Sequence, residues 1–263
     1  MRQYLSALAI AGLAAAFMSA PVRAGSGPPP AQYGRVIIKS QGASLEPVVF
    51  DHWLHRAIYT CRLCHVDIGF AMQAGGTGIT AENNINGYYC GACHNGAMVY
   101  GGTKIFASCA EKYTPEEAAR CVRCHSPGES VKKDFVFDKF TEYLPKKGLG
   151  NGIDWEEAEA KGLIRPMDFV KGVSVKKSSM KMQKDVELAS KSTWMEDVIF
   201  SHKKHAVWNG CEVCHPEIFP PAGTEAVQYT MLQIFDGQYC GVCHDKVAFP
   251  LAECDRCHTK PVQ

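Results

Sequence analysis

Two cysteines three residues apart, followed at once by a histidine, form a unit with a defined chemistry. The thiols can add across the two vinyl groups of one porphyrin, and the imidazole beside the second thiol can reach the iron, so Cys-x-x-Cys-His is the attachment signature of c-type haem. The unit occurs six times here: Cys61, Cys64, His65; Cys90, Cys93, His94; Cys121, Cys124, His125; Cys211, Cys214, His215; Cys240, Cys243, His244; and Cys254, Cys257, His258. One match in a chain of this length is a moderate signal, but six exclude chance. Paired cysteines also build zinc and iron–sulfur sites. Neither of those explains a histidine after every pair, so the expected cofactor is six covalently attached haem c groups.

The remaining histidines are as informative. Of ten in the chain, six follow the cysteine pairs, which leaves His52, His55, His202 and His205. They form two His-x-x-His units, and residues three apart share one face if the segment is helical. A lone extra histidine is usually structural, whereas two equivalent pairs are read as distal ligands for four of the irons. Of the 13 cysteines, Cys109 alone lies outside the six units. Its plain reading is a small buried apolar residue, with a haem ligand or an intermolecular disulfide as the alternatives.

The elements that must position these groups repeat. Phe50 to His55 recurs as Phe200 to His205, and the same displacement maps Cys61 onto Cys211, His65 onto His215, Cys90 onto Cys240 and His94 onto His244 without a gap. Such a register marks a duplicated unit. Each copy should open with a β-hairpin, from 35–39 with 46–50 and from 184–188 with 196–200, whose second strand feeds the His-x-x-His segment. The first copy also inserts 104–120, with a helix over 115–120. The copies are modules over 35–126 and 184–263, joined by 127–183, which reads as a semi-ordered connector with a short helix over 155–163 capped by Asp154. Its Phe135, Phe137, Phe140 and Trp155 imply that part of it packs against the modules. About forty residues per haem bury too little side-chain surface alone, so porphyrin must supply the missing apolar mass. The fold class expected is a small haem-packed α+β protein with little regular secondary structure.

Residues 1–24 read as a secretory signal: Arg2, an apolar run over 5–18, and a small-x-small site ending at Ala24. Residues 25–34 read as a flexible leader, and no other stretch is apolar enough to span a bilayer. The protein is thus expected in the periplasm or at the outer surface. The chain is close to neutral, with 28 Lys and Arg against 27 Asp and Glu. Removing the signal and adding haem propionates takes the oxidised holoprotein to roughly minus seven, which argues against a nucleic-acid partner.

The order Phe-x-His-x-x-His, Cys-x-x-Cys-His, Gly-x-x-Cys-x-x-Cys-His, Cys-x-x-Cys-His resembles the triheme cytochromes of the c(7) type, relatives of the class III cytochromes c from metal-reducing bacteria. Gly87-Tyr88-Tyr89-Cys90 and Gly237-Gln238-Tyr239-Cys240 carry its central element. The resemblance covers both modules and not the connector. It implies two tandem modules, each a hairpin plus short helices around three haems, with His52 paired to His65, His55 to His94, His202 to His215 and His205 to His244. Single-domain members offer a histidine for the third haem, and none stands at that place here. Multidomain relatives use methionine, which points to Met231 opposite His258; the matching residue in the first module is Ala81. Met72, Met98 and Cys109 are the weak substitutes opposite His125.

The function implied is electron transfer among redox proteins, towards extracellular metal acceptors such as iron oxides. A multihaem reductase with an open haem at His125 is one alternative. A conductive filament built by self-association is another.

Overall fold

The computed structural model describes residues 28–39, 45–126, 136–177, 184–220 and 228–260. The expected signal lies outside them, as do Phe135 and residues 25–27 of the leader, whose described part forms a single tight turn over Pro30–Gln32 and buries Tyr33. Among the described residues, no helix is long and apolar enough to cross a membrane.

Both modules begin as the β-branched runs predict. In the first, β1 (Arg35–Ile38) pairs antiparallel with β2 (Val48–Asp51), with Val36 opposite Phe50. In the second, β5 (Val186–Leu188) pairs with β6 (Asp197–Phe200), and Val186 opposite Phe200 reproduces the register of the first copy. Each second strand runs directly into a helix that starts on a predicted distal histidine. These helices are α1 (His52–Ile58) and α6 (His202–Asn209).

The next elements also come in matched pairs. Helix α2 (Ala81–Ile85) carries a capping box between Thr80 and Asn83, and α7 (Met231–Phe235) carries one between Thr230 and Gln233. Each box satisfies amide groups that so short a helix cannot bond internally. Tight single turns over Tyr89–Ala92 and Tyr239–Val242 then hold the second cysteine pair of each module. A Cβ on Gly91 would come within 1.9 Å of the Asn84 carbonyl oxygen, and one on Gly241 equally close to that of Ile234, so only glycine lets turn and helix touch.

A small hairpin, β3 (Val99–Tyr100) with β4 (Thr103–Lys104), precedes α3 (Pro115–Ala118), which stops short of the predicted end at residue 120. At the other end of the chain β7 (His258–Lys260) adds to the edge of β6, a third strand that the sequence pattern does not announce.

The connector packs closely against both modules. Its described part supplies six of the eight residues of the buried apolar cluster. Helices α4 (Phe137–Thr141) and α5 (Trp155–Ala160) bring Phe137, Leu144, Ile153, Trp155, Ala158 and Ile164 against Trp53 and Ala57 of α1. Trp208 of α6 packs on the same cluster. Asp154 caps α5, as the sequence predicts, by accepting from the Glu157 amide. A second tie is polar. Buried Arg62 donates to both carboxylate oxygens of Asp168, at 2.8 and 2.9 Å, and to Asp67 at 3.0 Å. The connector is therefore a wedge between the two modules. Its apolar content exceeds what a tether needs, and α1 offers it a matching face.

Candidate haem-binding sites

The structure brings the predicted axial histidines together in pairs. His52 and His65 lie with ring centroids 6.5 Å apart and planes 7° from parallel. His55 and His94 are 6.3 Å apart, and His205 and His244, the equivalent pair of the second module, are also 6.3 Å apart. A metal held about 2 Å from two imidazole nitrogens, each about 1.15 Å from its own ring centre, separates the rings by about 6.3 Å. The spacing fits an iron between each pair. His202 and His215 sit at the equivalent places, but among the described residues no ring contact joins them.

The aim of the rings is set by backbone. His52 donates Nδ1–H to the Gly34 carbonyl at 2.6 Å, and His202 does the same to Lys184 at 2.6 Å, acceptors that occupy matching places in the two copies. His125 bonds the Glu46 carbonyl at 2.6 Å and His258 that of Glu196 at 2.5 Å, again a matching pair. His65, His205, His215 and His244 bond the carbonyls of Phe70, Ser201, Phe219 and Phe249 at 2.9, 2.9, 2.8 and 3.1 Å. With Nδ1 engaged, Nε2 is the free donor atom, which is how metal-ligating histidines are fixed. Phe50 packs on both His52 and His55, at 4.8 and 4.7 Å, and Phe200 on both His202 and His205, at 5.0 and 4.3 Å.

The electrostatics suit neutral donors. Burial pushes His52 and His244 down to about 4, against the opposing effect of their backbone bonds, and lowers His65, His94 and His205 as well. These imidazoles are neutral at pH 7 and ready to ligate. Burial raises the thiols, Cys64 and Cys243 to about 12 and Cys90 and Cys257 to about 11. Metal–thiolate sites need the opposite environment. Uncharged thioethers to a porphyrin fit it, and among the described residues no group of three or more His, Cys, Asp or Glu converges on a point.

The third site of each module is held at its proximal end. His125 bridges to Val48 of β2, and His258 pairs with Val198 of β6. Met231 is the first residue of α7 and is 42% exposed, and Ala81 stands in its place on α2. Met72 and Met98 are half-buried. Cys109 takes a long contact from Asn84 Nδ2, 3.9 Å, within electrostatic reach of Cys90 and Cys121. Sequence reasoning missed the anchoring carbonyls. The repeat links Gly34 to Lys184 and Glu46 to Glu196, yet an acceptor carried on backbone leaves no residue type to notice.

Repeated attachment units, paired imidazoles and little protein core define a multihaem c-type cytochrome. The family described as cytochrome c7 and related cytochrome c matches residues 48–126 and 198–259, more than half of the chain, and the chain belongs to that family. The second match begins at Val198, the residue that corresponds to Val48 in the repeat.

Among solved structures, the chain is similar to the N-terminal hexaheme fragment of GSU1996, at 24% identity over 86% of this chain and 98% of that one, with a TM-score of 0.24. The C-terminal hexaheme fragment of the same protein gives 22% identity over 89% and 99%, TM-score 0.25. The dodecaheme cytochrome c GSU1996 itself gives 23% over 86% and 74%, TM-score 0.27. No curated protein matches.

Proposed function

We propose that this chain is an electron carrier of six covalently bound haems working outside the cytoplasmic membrane. His52 and His65, His55 and His94, His202 and His215, and His205 and His244 are its axial pairs, and Met231 stands opposite His258. The observation that carries this reading is the set of three imidazole pairs at 6.3–6.5 Å, two of them equivalent across the repeat. Haem supplies a reversible one-electron couple when bound. The chain's own residues would supply the rest: the cysteine pairs would fix each group in place, neutral imidazoles would hold four of the irons from both sides, and Phe50 and Phe200 cover the ligand rings. Two imidazoles at four of the six irons would leave no open position for a substrate there, which favours a carrier over an enzyme; the haem at Cys121/Cys124 has His125 alone assigned to it.

Export is supported by the basic start, apolar run and Ala24 site of residues 1–24. Redox proteins as partners follow from family membership. Extracellular metal acceptors such as iron oxides are the terminal electron sink we infer from the resemblance to the cytochromes of metal-reducing bacteria.

Electron paramagnetic resonance of the oxidised protein tests the ligand set. Low-spin signals of paired imidazoles should dominate, and Met231→Ala should remove a weak thioether–iron absorption band. A mainly high-spin spectrum, or rapid stoichiometric carbon monoxide binding to the reduced protein, would instead favour a reductase.

A further inference from the structure

Arg56 lies on α1, one residue after His55, and reaches out of its own module. Its guanidinium carbon stands 5.0 Å from the Trp155 ring centroid, in the connector, and 5.4 Å from that of Trp208, on α6. Its Nη1 donates to the Val247 carbonyl at 2.5 Å, three residues beyond His244 in the second module. Beside it Tyr33 donates to the next carbonyl, Ala248, at 2.6 Å. One cation thus touches both modules and the wedge between them, within electrostatic reach of Cys61 on one side and Cys243 on the other.

Other arginines in this part of the molecule have carboxylate partners. Arg35 pairs with Asp51, Arg62 with Asp67 and Asp168, and Arg256 with Glu253. Arg56 makes no ion pair among the described residues. Guanidinium keeps its proton at any physiological pH, and a charge in a half-buried seam acts on its neighbours more strongly than one in water. Reducing a haem adds one negative charge to its site, and a fixed cation nearby favours that state.

We propose that Arg56 is a redox-tuning residue: a fixed cation in the module seam that raises the potentials of the haems attached at Cys61/Cys64 and Cys240/Cys243. This rests on the six-haem reading above. Residue 206, which takes the place of Arg56 in the second copy, is alanine. Helix α6 carries Lys203 and Lys204, but both are exposed and Lys204 pairs with Glu156, so the haem at Cys211/Cys214 lacks a half-buried cation at the matching place and serves as an internal reference for the one at Cys61/Cys64.

The test is a redox titration that resolves individual haems, by magnetic resonance of their ring methyls, on holoprotein whose haem content is known from intact mass. Arg56→Met keeps an apolar stem between the two tryptophans and removes the charge, and Arg56→Lys keeps the charge. In Arg56→Met the reduced-to-oxidised ratio of the two seam haems at a fixed potential should fall about tenfold, or about 59 mV for one electron. The other four should stay in place, and Arg56→Lys should restore most of the change. Unchanged potentials, or a uniform shift of all six, would overturn the proposal.

If Arg56→Met does not fold, the unaltered protein still decides. Its Cys61/Cys64 haem should titrate above its Cys211/Cys214 counterpart, and equal or reversed potentials would overturn the assignment. Missing haem at either seam site would remove the six-haem reading itself, and the mass shows that independently of any potential.

Discussion

Each anchored imidazole gives its Nδ1 proton to a main-chain carbonyl, and that one contact sets both the tautomer and the direction of Nε2. The anchors of His52 and His202 lie at the start of the hairpins, on Gly34 and Lys184, so folding of β1 with β2 and of β5 with β6 aims the ligands. His205→Ala should convert one haem of the second module to a five-coordinate or water-ligated state. Its opposite ring, His244, lies 6.3 Å away. The spectrum should gain a high-spin component while the other haems keep theirs, and an unchanged spectrum would show that His205 is not a ligand. These residues are legible in the sequence because the thiols and imidazoles are themselves the chemistry. Arg56 is not, because its role depends on Val247 and Trp208, far away along the chain.

At the scale of elements, what the sequence announces are the pieces with local causes. The hairpins follow from β-branched runs around a turn, α1 and α6 from the place where β2 and β6 end, and α5 from its Asp154 cap. Strand β7 is hidden because His258-Thr259-Lys260 has no strand pattern, and its place is set by the edge of β6 and the Glu196 carbonyl.

Two substitutions test this level. Gly241→Ala puts a methyl 1.9 Å from the Ile234 carbonyl oxygen, so α7 or the turn at Cys240 must move. A loss of about 1–3 kcal/mol, read as a lower melting temperature, is expected. Asp154→Ala removes the cap of α5 and should cost about 1 kcal/mol at pH 7. Burial raises the Asp154 carboxyl, but the Glu157 amide and Lys147 outweigh it and hold the carboxyl below its ordinary value of 3.8. The contribution is therefore complete above pH 3.8 and lost as pH falls below it. Melting curves of protein and variant should converge there.

Among the described residues, one apolar cluster lies at the junction of the modules, built mainly from the connector, while α7 has no buried residue and exposes Leu232 and Phe235. A core so small cannot hold a chain of this length, and exposed apolar side chains around the cysteine pairs are the surface that porphyrin would cover. The connector's aromatic residues announce in the sequence that part of it packs on the modules, but they carry no periodicity that shows where, and only α1 and α6 together supply the face they pack on. Chain made without haem should accordingly give little cooperative unfolding on heating, whereas the holoprotein should unfold in a sharp transition.

The central claim, one covalent haem at each of six cysteine pairs, is tested most directly by the intact mass of the denatured, purified protein. Six haem increments, about 3.7 kDa in all, should remain attached. Fewer than five, or zinc recovered in their place, would contradict the account.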